Sequence, residues 1–64
     1  MLSAKDFKVG EIVINKHVGD EYFNHYGMIT EVLSNFITVR HTHGAYGNIR
    51  NLIPSHGEVE KLIN

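Results

Sequence analysis

The chain has 64 residues, of which 42% are apolar and 20% are charged, with six basic against seven acidic side chains and no cysteine. A chain of this size buries only about 60% of the surface that its unfolded form exposes, so we expect one small domain with a thin core. These values exclude a multidomain enzyme and a nucleotide-binding α/β fold, and no apolar run reaches the ~20 residues that a membrane span requires.

Two features of the sequence predict a cytoplasmic protein. Residues 1–6 lack the apolar stretch of a secretory signal peptide. The absence of cysteine agrees, since disulfides belong to oxidising compartments, and it also excludes thiolate chemistry and Cys-based zinc sites. We therefore predict a cytoplasmic binding module with no cofactor, no membrane partner and no small-molecule substrate.

The first predicted strand covers residues 7–14, where apolar residues alternate on either side of Gly10. A glycine at this position indicates a bulge that bends the strand. Residues 19–27 follow with acidic and aromatic side chains and no helical or strand period. This segment is interpreted as a long loop that packs its own aromatic residues.

A β-hairpin is predicted next, because residues 28–32 and 36–40 are rich in β-branched and apolar side chains and only a short polar turn at 34–35 separates them. Residues 42–47 contain two glycines and predict a second connection. That connection leads into a further strand at 48–53.

The C-terminal segment 55–63 predicts two turns of helix. Ser55 and Glu58 have the spacing of a capping box. Three apolar residues then fall at positions i, i+3 and i+4, which places them on one helical face. A last barrel strand is the alternative for this segment. In the helical interpretation the packing residues are Val59, Leu62 and Ile63.

Parts of this pattern resemble SH3-like small β-barrels of the KOW and Tudor kind. Residues 9–13 are similar to the first strand of such barrels, and residues 27–32 resemble the core of a KOW motif. Residues 36–40, Gly44 and residues 52–54 follow in the order that these barrels show. In size and style the chain also resembles the small, cysteine-free regulatory proteins that bacteriophages encode.

The predicted fold is therefore mainly β: a small, highly bent antiparallel barrel of SH3-like type in residues 7–54, followed by a short C-terminal helix in 55–63, within one domain 1–64. An OB-like partial barrel and a sheet with a helix across one face are the alternatives. The predicted core consists of apolar residues from all the strands: Phe7, Val9, Ile12, Ile14, Ile29, Val32, Ile37, Val39, Ile49 and Leu52.

The sequence contains no constellation that points to an enzyme, since it has no nucleophile elbow, no zinc-protease motif and no phosphate-binding loop. His41 and His43 have a spacing that suits a metal on a strand. A closed site needs three or four ligands, however, and only His17, His25, His56 or a distant carboxylate could supply the others. We predict neither catalysis nor a metal site.

The favoured function is a non-enzymatic protein-binding module, such as a phage-type regulator or inhibitor of a host macromolecular machine. Its predicted binding residues lie in the acidic, aromatic loop, because tyrosines anchor interfaces at low entropic cost and acidic side chains steer association. Closure of one barrel end by Phe23 and Tyr26 is the alternative role for the loop aromatics. The predicted protein-binding residues are Asp20, Glu21, Tyr22 and Tyr26.

The alternative function is the binding of RNA or single-stranded DNA. Residues 32–57 contain two arginines and no carboxylate, so they are predicted to form a basic face with aromatic side chains for base stacking. The predicted nucleic-acid-binding residues are Phe36, Arg40, His41, His43, Tyr46 and Arg50.

Overall fold

The computed structural model describes residues 2–41 and 48–62 as a single five-stranded antiparallel sheet. Across the sheet the strands follow the order β4-β3-β2-β1-β5, so the last strand lies beside the first. The strands are β1 (Ile12–Asn15), β2 (Tyr26–Val32), β3 (Ile37–His41), β4 (Ile49–Leu52) and β5 (Val59–Lys61).

The prediction of a mainly β fold is confirmed, whereas the prediction of a closed barrel is wrong. Strands β4 and β5 lie at opposite edges of the sheet, and no ladder joins them in the described parts of the chain. Each strand has only three to seven residues. Strands this short curve the sheet without bringing its two edges into hydrogen-bonding register.

The predicted hairpin is confirmed. Strands β2 and β3 pair antiparallel, and the bend at Ser34 and Asn35 lies between them. The Leu33 N–H donates to the Phe36 carbonyl at 2.9 Å and closes the turn. The ladder contains a bulge at Thr30, since Ile29 pairs with Val39 while Glu31 pairs with Thr38. The predicted connection at 42–47 lies outside the described residues.

The predicted C-terminal helix is wrong, and the alternative of a last strand is the one that the structure has. Pro54–His56 form a single 3-10 turn, which ends at Gly57 with φ 74°. The Glu58 carboxylate does not cap a helix at Ser55, but accepts the Ile53 N–H at 2.8 Å. The chain then pairs with β1, with Val59 opposite Asn15. Sheet hydrogen bonds and burial of Val59 on the core outweigh a helix with a glycine in its first turn.

The first strand begins later than predicted. Ala4–Asp6 form a 3-10 helix instead, and the buried Phe7 follows it. Gly10 lies in a turn ahead of the strand at φ 93°, which glycine adopts without strain, and not in a strand bulge. This turn shifts the inward positions by one residue, so that Val13 faces the core and Ile12 does not.

The prediction of the core residues is confirmed at the centre of the core and wrong at its margins. The predicted Val9, Ile12 and Ile49 are 64%, 37% and 47% exposed, while Ile14 is half-buried. Val32 packs partly against the core as predicted. The buried hydrophobic residues are Ala4, Phe7, Val13, Ile29, Ile37, Val39, Leu52 and Val59.

In the part of the chain that the structure describes, no helix has both the length and the apolar character that crossing a membrane demands.

Candidate functional site: a polar network behind an exposed sheet face

The sheet has two faces with different chemistry. Its inner face carries the apolar core at one end and a cluster of polar side chains at the other, where β1, β3 and β4 meet the connection between β1 and β2. Its outer face carries the residues of opposite parity and lies open. We describe the inner cluster, called the polar network below, before the outer face.

Asn15 is the centre of the polar network and is completely buried. The side-chain oxygen of Asn15, Oδ1, accepts the His17 main-chain N–H at 2.8 Å, and this bond fixes the orientation of the side-chain amide. The amide nitrogen then donates to the Asp20 carboxylate at 2.8 Å and lies 3.2 Å from Nε2 of His41. Both polar atoms of this side chain thus have partners inside the protein, as burial of an amide requires.

His41 is buried at 5% exposure, and its partners determine its tautomer. The Asn15 amide is a donor, so Nε2 of the imidazole is the acceptor. The other ring nitrogen, Nδ1, carries the proton and donates it to the main-chain carbonyl of Tyr26 at 3.0 Å. Both ring nitrogens of His41 therefore have a hydrogen-bond partner inside the protein.

Tyr22 covers His41 from the connection between β1 and β2. The two rings stack with their centres 4.8 Å apart and their planes at 19°. The Arg50 guanidinium lies 4.7 Å from the centre of the same tyrosine ring, a cation–π distance. The Tyr22 hydroxyl donates to the Asn48 side-chain oxygen. The ring contacts with His41 and Arg50 and the hydrogen bond to Asn48 thus hold Tyr22 in place.

Two carboxylates neutralise Arg50. Its Nε donates to Asp20 at 2.8 Å and its terminal nitrogen donates to Glu21 at 2.9 Å. Burial by itself would raise the pKa of Asp20, but hydrogen bonds from Arg50 and Asn15 outweigh this effect and lower that pKa below its ordinary value. The hydrogen bond to Asp20 correspondingly raises the pKa of Arg50. The positive charge of Arg50 is thus compensated by two carboxylates of the same chain.

The outer face presents a row of side chains in register across four strands. Ile12 pairs with Met28, Met28 with Arg40, and Arg40 with Ile49, so these four side chains lie side by side. In the neighbouring row Ile14 pairs with Tyr26. Tyr26 and Met28 are 53% and 42% exposed although they lie on the central strand. We call these six residues the outer face: Ile12, Ile14, Tyr26, Met28, Arg40 and Ile49.

The structure separates the four residues that were predicted to bind protein. Asp20 and Tyr22 belong to the polar network, and Glu21 joins them through Arg50 while its side chain stays 72% exposed. Tyr26 instead begins β2 and lies on the outer face. The acidic loop and this tyrosine are therefore not one surface.

The residues that were predicted to bind nucleic acid are separated as well. Arg40 lies on the outer face, whereas Arg50 has the opposite parity and is paired with carboxylates on the inner side. His41 is buried in the polar network, and Phe36 is half-buried just ahead of β3. His43 and Tyr46 lie outside the described residues.

Sequence reasoning missed two parts of this site. Ile12, Ile14 and Ile49 were assigned to the core, and Met28 was assigned to no face. Asn15 was overlooked, because asparagine is mostly exposed in proteins and its place after an apolar run does not indicate burial. The apolar run at residues 12–14 was visible, but three apolar residues in succession do not show which face of the strand is buried.

Other features of the described residues offer less chemistry. An open cleft of about 360 Å³ is lined mainly by neutral polar side chains, among them Ser34, Asn35 and Ser55. Within residues 2–41 and 48–62, no three His, Asp or Glu side chains converge as metal ligands.

No protein-family model, no curated protein and no solved structure matches the chain.

Proposed function

We propose that this chain is a non-enzymatic protein-binding module that binds its partner through the outer face. The observation that carries this proposal is the exposure of Tyr26, Met28 and Ile12 in adjacent positions at the middle of the sheet. Single exposed apolar side chains are ordinary, whereas a contiguous apolar patch on a small domain is typical of an interaction surface.

The residue types on the outer face support a protein partner. Tyrosine, methionine and arginine are enriched at the centres of interfaces, and truncation of such residues often costs most of the binding energy. Tyr26, Met28 and Arg40 are the residues of this kind on β2 and β3, and isoleucine side chains lie beside them. We expect Tyr26, which was predicted from the sequence as an anchor, to be the main contact.

The charge of Arg40 defines the partner further. Arg50 lies on the neighbouring strand and is paired with two carboxylates, but Arg40 has no carboxylate within ion-pair distance among residues 2–41 and 48–62. The complementary surface for a cation between apolar side chains is a carboxylate that is itself surrounded by apolar side chains. The partner is thus a protein surface with aliphatic or aromatic side chains around one Asp or Glu.

The resemblance of residues 9–13 and 27–32 to SH3-like domains of the KOW and Tudor kind supports a binding role. A regulator or inhibitor that attaches to a larger host assembly is the biological role that we propose for a chain of this style.

The binding of RNA or single-stranded DNA stays the alternative proposal. Tyr26 and Arg40 are near neighbours on the outer face, and such a pair also stacks on a base and contacts a phosphate. One arginine gives little salt-dependent affinity, however, because each phosphate contact contributes a logarithmic salt slope of only about −0.7 on a single strand. The protein partner is therefore favoured.

A display library of short random peptides tests the proposal. Wild-type protein and the Arg40→Glu variant are panned in parallel, with Tyr26→Ala/Met28→Asp as the variant lacking the face and Lys8→Glu as a control outside it. Wild type should enrich peptides with Asp or Glu among apolar residues, and Arg40→Glu should enrich Lys or Arg instead. The enriched peptides should bind Lys8→Glu normally and lose affinity for Tyr26→Ala/Met28→Asp.

Two results would contradict the proposal. One is that no peptide pool binds wild type better than the variant lacking the face. The other is that labelled single-stranded RNA binds saturably at low salt and loses affinity on Arg40→Ala, which would favour the nucleic-acid alternative.

A further inference from the structure

We infer that the outer face is self-complementary, and that the partner it fits is a second copy of this chain packed face to face as a two-fold dimer. The inference rests on the proposed function, since it names an occupant for the same surface. It follows from the positions of two charged side chains relative to the apolar rows between them.

The first step is the symmetry of the strand order. Arg40 lies on β3 and Glu60 on β5, with β2 and β1 between them. The line between β1 and β2 is therefore equidistant from the two charged strands. A two-fold axis parallel to this line places β2 of each copy over β1 of the other, and β3 over β5.

The second step is the match of side chains under that operation. Because the axis is parallel to the strands, each row of side chains meets the same row of the other copy. Met28 then packs on Ile12 and Tyr26 on Ile14, so aliphatic and aromatic side chains fill the centre. Face-to-face sheets lie ~10 Å apart, a distance that interdigitating side chains of this size fill.

The third step is the match of charge. Glu60 pairs with Ile14 in the ladder, so it lies on the same side of the sheet as the outer face, at its edge and one row from Arg40. Two residues along a strand span about 7 Å, which an arginine side chain bridges. Neither charge has an ion-pair partner within residues 2–41 and 48–62. The two-fold axis creates two equivalent ion pairs, since Arg40 of each copy meets Glu60 of the other.

Glu31, which lies on the same side of the sheet, does not disturb this match of charges. Glu31 pairs with Thr38, in the row beyond Arg40 and at the opposite end of the face from Glu60. It therefore lies away from the position at which Glu60 of the second copy arrives.

The size of the face sets the strength of the dimer. A stable interface buries about 800 Å² on each partner, which is close to a fifth of this domain's 4312 Å² surface. One face of a domain measuring 30 × 22 × 21 Å reaches that area only when it is fully covered. We therefore expect a weak dimer, with Kd between about 10 μM and 1 mM.

Sedimentation equilibrium on the full chain, up to about 1 mM, tests the inference with paired charge reversals. Wild type and the control Lys8→Glu should dimerise, whereas Arg40→Glu and Glu60→Arg should each raise Kd at least about tenfold. An equimolar mixture of these two variants should dimerise again, because each reversed charge then meets its opposite. Circular dichroism checks that every variant stays folded.

A monomeric wild type at the highest concentration would overturn the inference. So would a dimer that the two single reversals leave unchanged, or a mixture that fails to restore association. These failures are distinct from failure of the proposed function. A monomer whose peptide binding is still lost on Tyr26→Ala/Met28→Asp contradicts the self-association and leaves the protein-binding role in place.

Discussion

Nδ1 of His41 donates to the main-chain carbonyl of Tyr26 at 3.0 Å, although the two side chains lie on opposite faces of the sheet. This bond connects the buried polar network to the central strand of the outer face. The exposed tyrosine thus depends on a hydrogen-bonded histidine beneath it.

Replacing Gly27 by alanine should destabilise the protein by about 1–3 kcal/mol, the usual cost of overpacking. A Cβ at this position would lie 2.4 Å from Cγ1 of Val39 and 3.0 Å from Nδ1 of His41, closer than packed atoms approach. Urea unfolding measures the loss. Adding Val39→Ala to Gly27→Ala should cost less than the sum of the two single changes, because it removes the nearest clash. Simple additivity would contradict the packing described.

Replacing Asn15 by leucine should lower the free energy of unfolding by about 2–4 kcal/mol, despite the similar volume. The leucine leaves Nε2 of His41, the Asp20 carboxylate and the His17 N–H without their buried partner, and each unsatisfied group costs ~1–3 kcal/mol. Chemical denaturation checks this. The exposed Glu31→Gln serves as a control and should leave the unfolding midpoint unchanged. A stabilised Asn15→Leu protein would show that the network is not satisfied as described.

Acid should destabilise the protein through Asp20. The pKa of Asp20 is lowered in the folded state, so its ionised form stabilises the fold at pH values above the unfolded pKa of ~3.9. This contribution is lost as the pH falls through the lower, folded pKa. Asp20→Asn should therefore be less stable than wild type at pH 7, and the difference should shrink below about pH 4.

Thermal unfolding at a series of pH values measures this difference, and Asp6→Asn is the matched control. Asp6 also has a lowered pKa, because it accepts the Ser3 N–H, but it lies outside the polar network. Its variant should leave the geometry at Arg50 unchanged, as judged by the chemical shift of the Arg50 Nε–H. A constant stability difference between Asp20→Asn and wild type from pH 7 to pH 2 would contradict the assigned role.

Substitutions at Val13 and Ile12 test which face of β1 is buried. Val13 is fully buried and Ile12 is 37% exposed. Val13→Ala should cost about 1.5–3 kcal/mol through lost burial and a cavity, and Ile12→Ala less than half as much. Ile12→Asp should leave a folded protein, whereas Val13→Asp should unfold it. Equal effects at the two positions, measured by urea denaturation, would contradict the observed parity.

Local chemistry in the sequence was sufficient for the middle of the chain. The β-branched residues of 36–40 and the polar pair at 34–35 predict a hairpin, because propensity and turn chemistry act over neighbouring residues. The buried Ile37 and Val39 follow from the same alternation. The acidic, aromatic connection before β2 was visible too, and Tyr26 was marked as a candidate contact from composition.

Only the tertiary structure decided which face of β1 is buried, how the chain ends and where the charges lie. The parity of β1 depends on its pairing with β2, where Val13 lies opposite Gly27. The missing side chain of Gly27 leaves room for Val39 and His41 on the inner side. The tail becomes a strand because β1 offers an open edge, and such pairing is not encoded within the tail.

The same is true of the two arginines. Arg40 and Arg50 look equivalent in the sequence, as the only fixed charges of an acid-free segment. Strand parity places them on opposite faces, and Asp20 and Glu21, about thirty residues earlier in the chain, neutralise only Arg50. Contacts between residues far apart in the chain depend on the global arrangement of strands, so local patterns by themselves do not determine them.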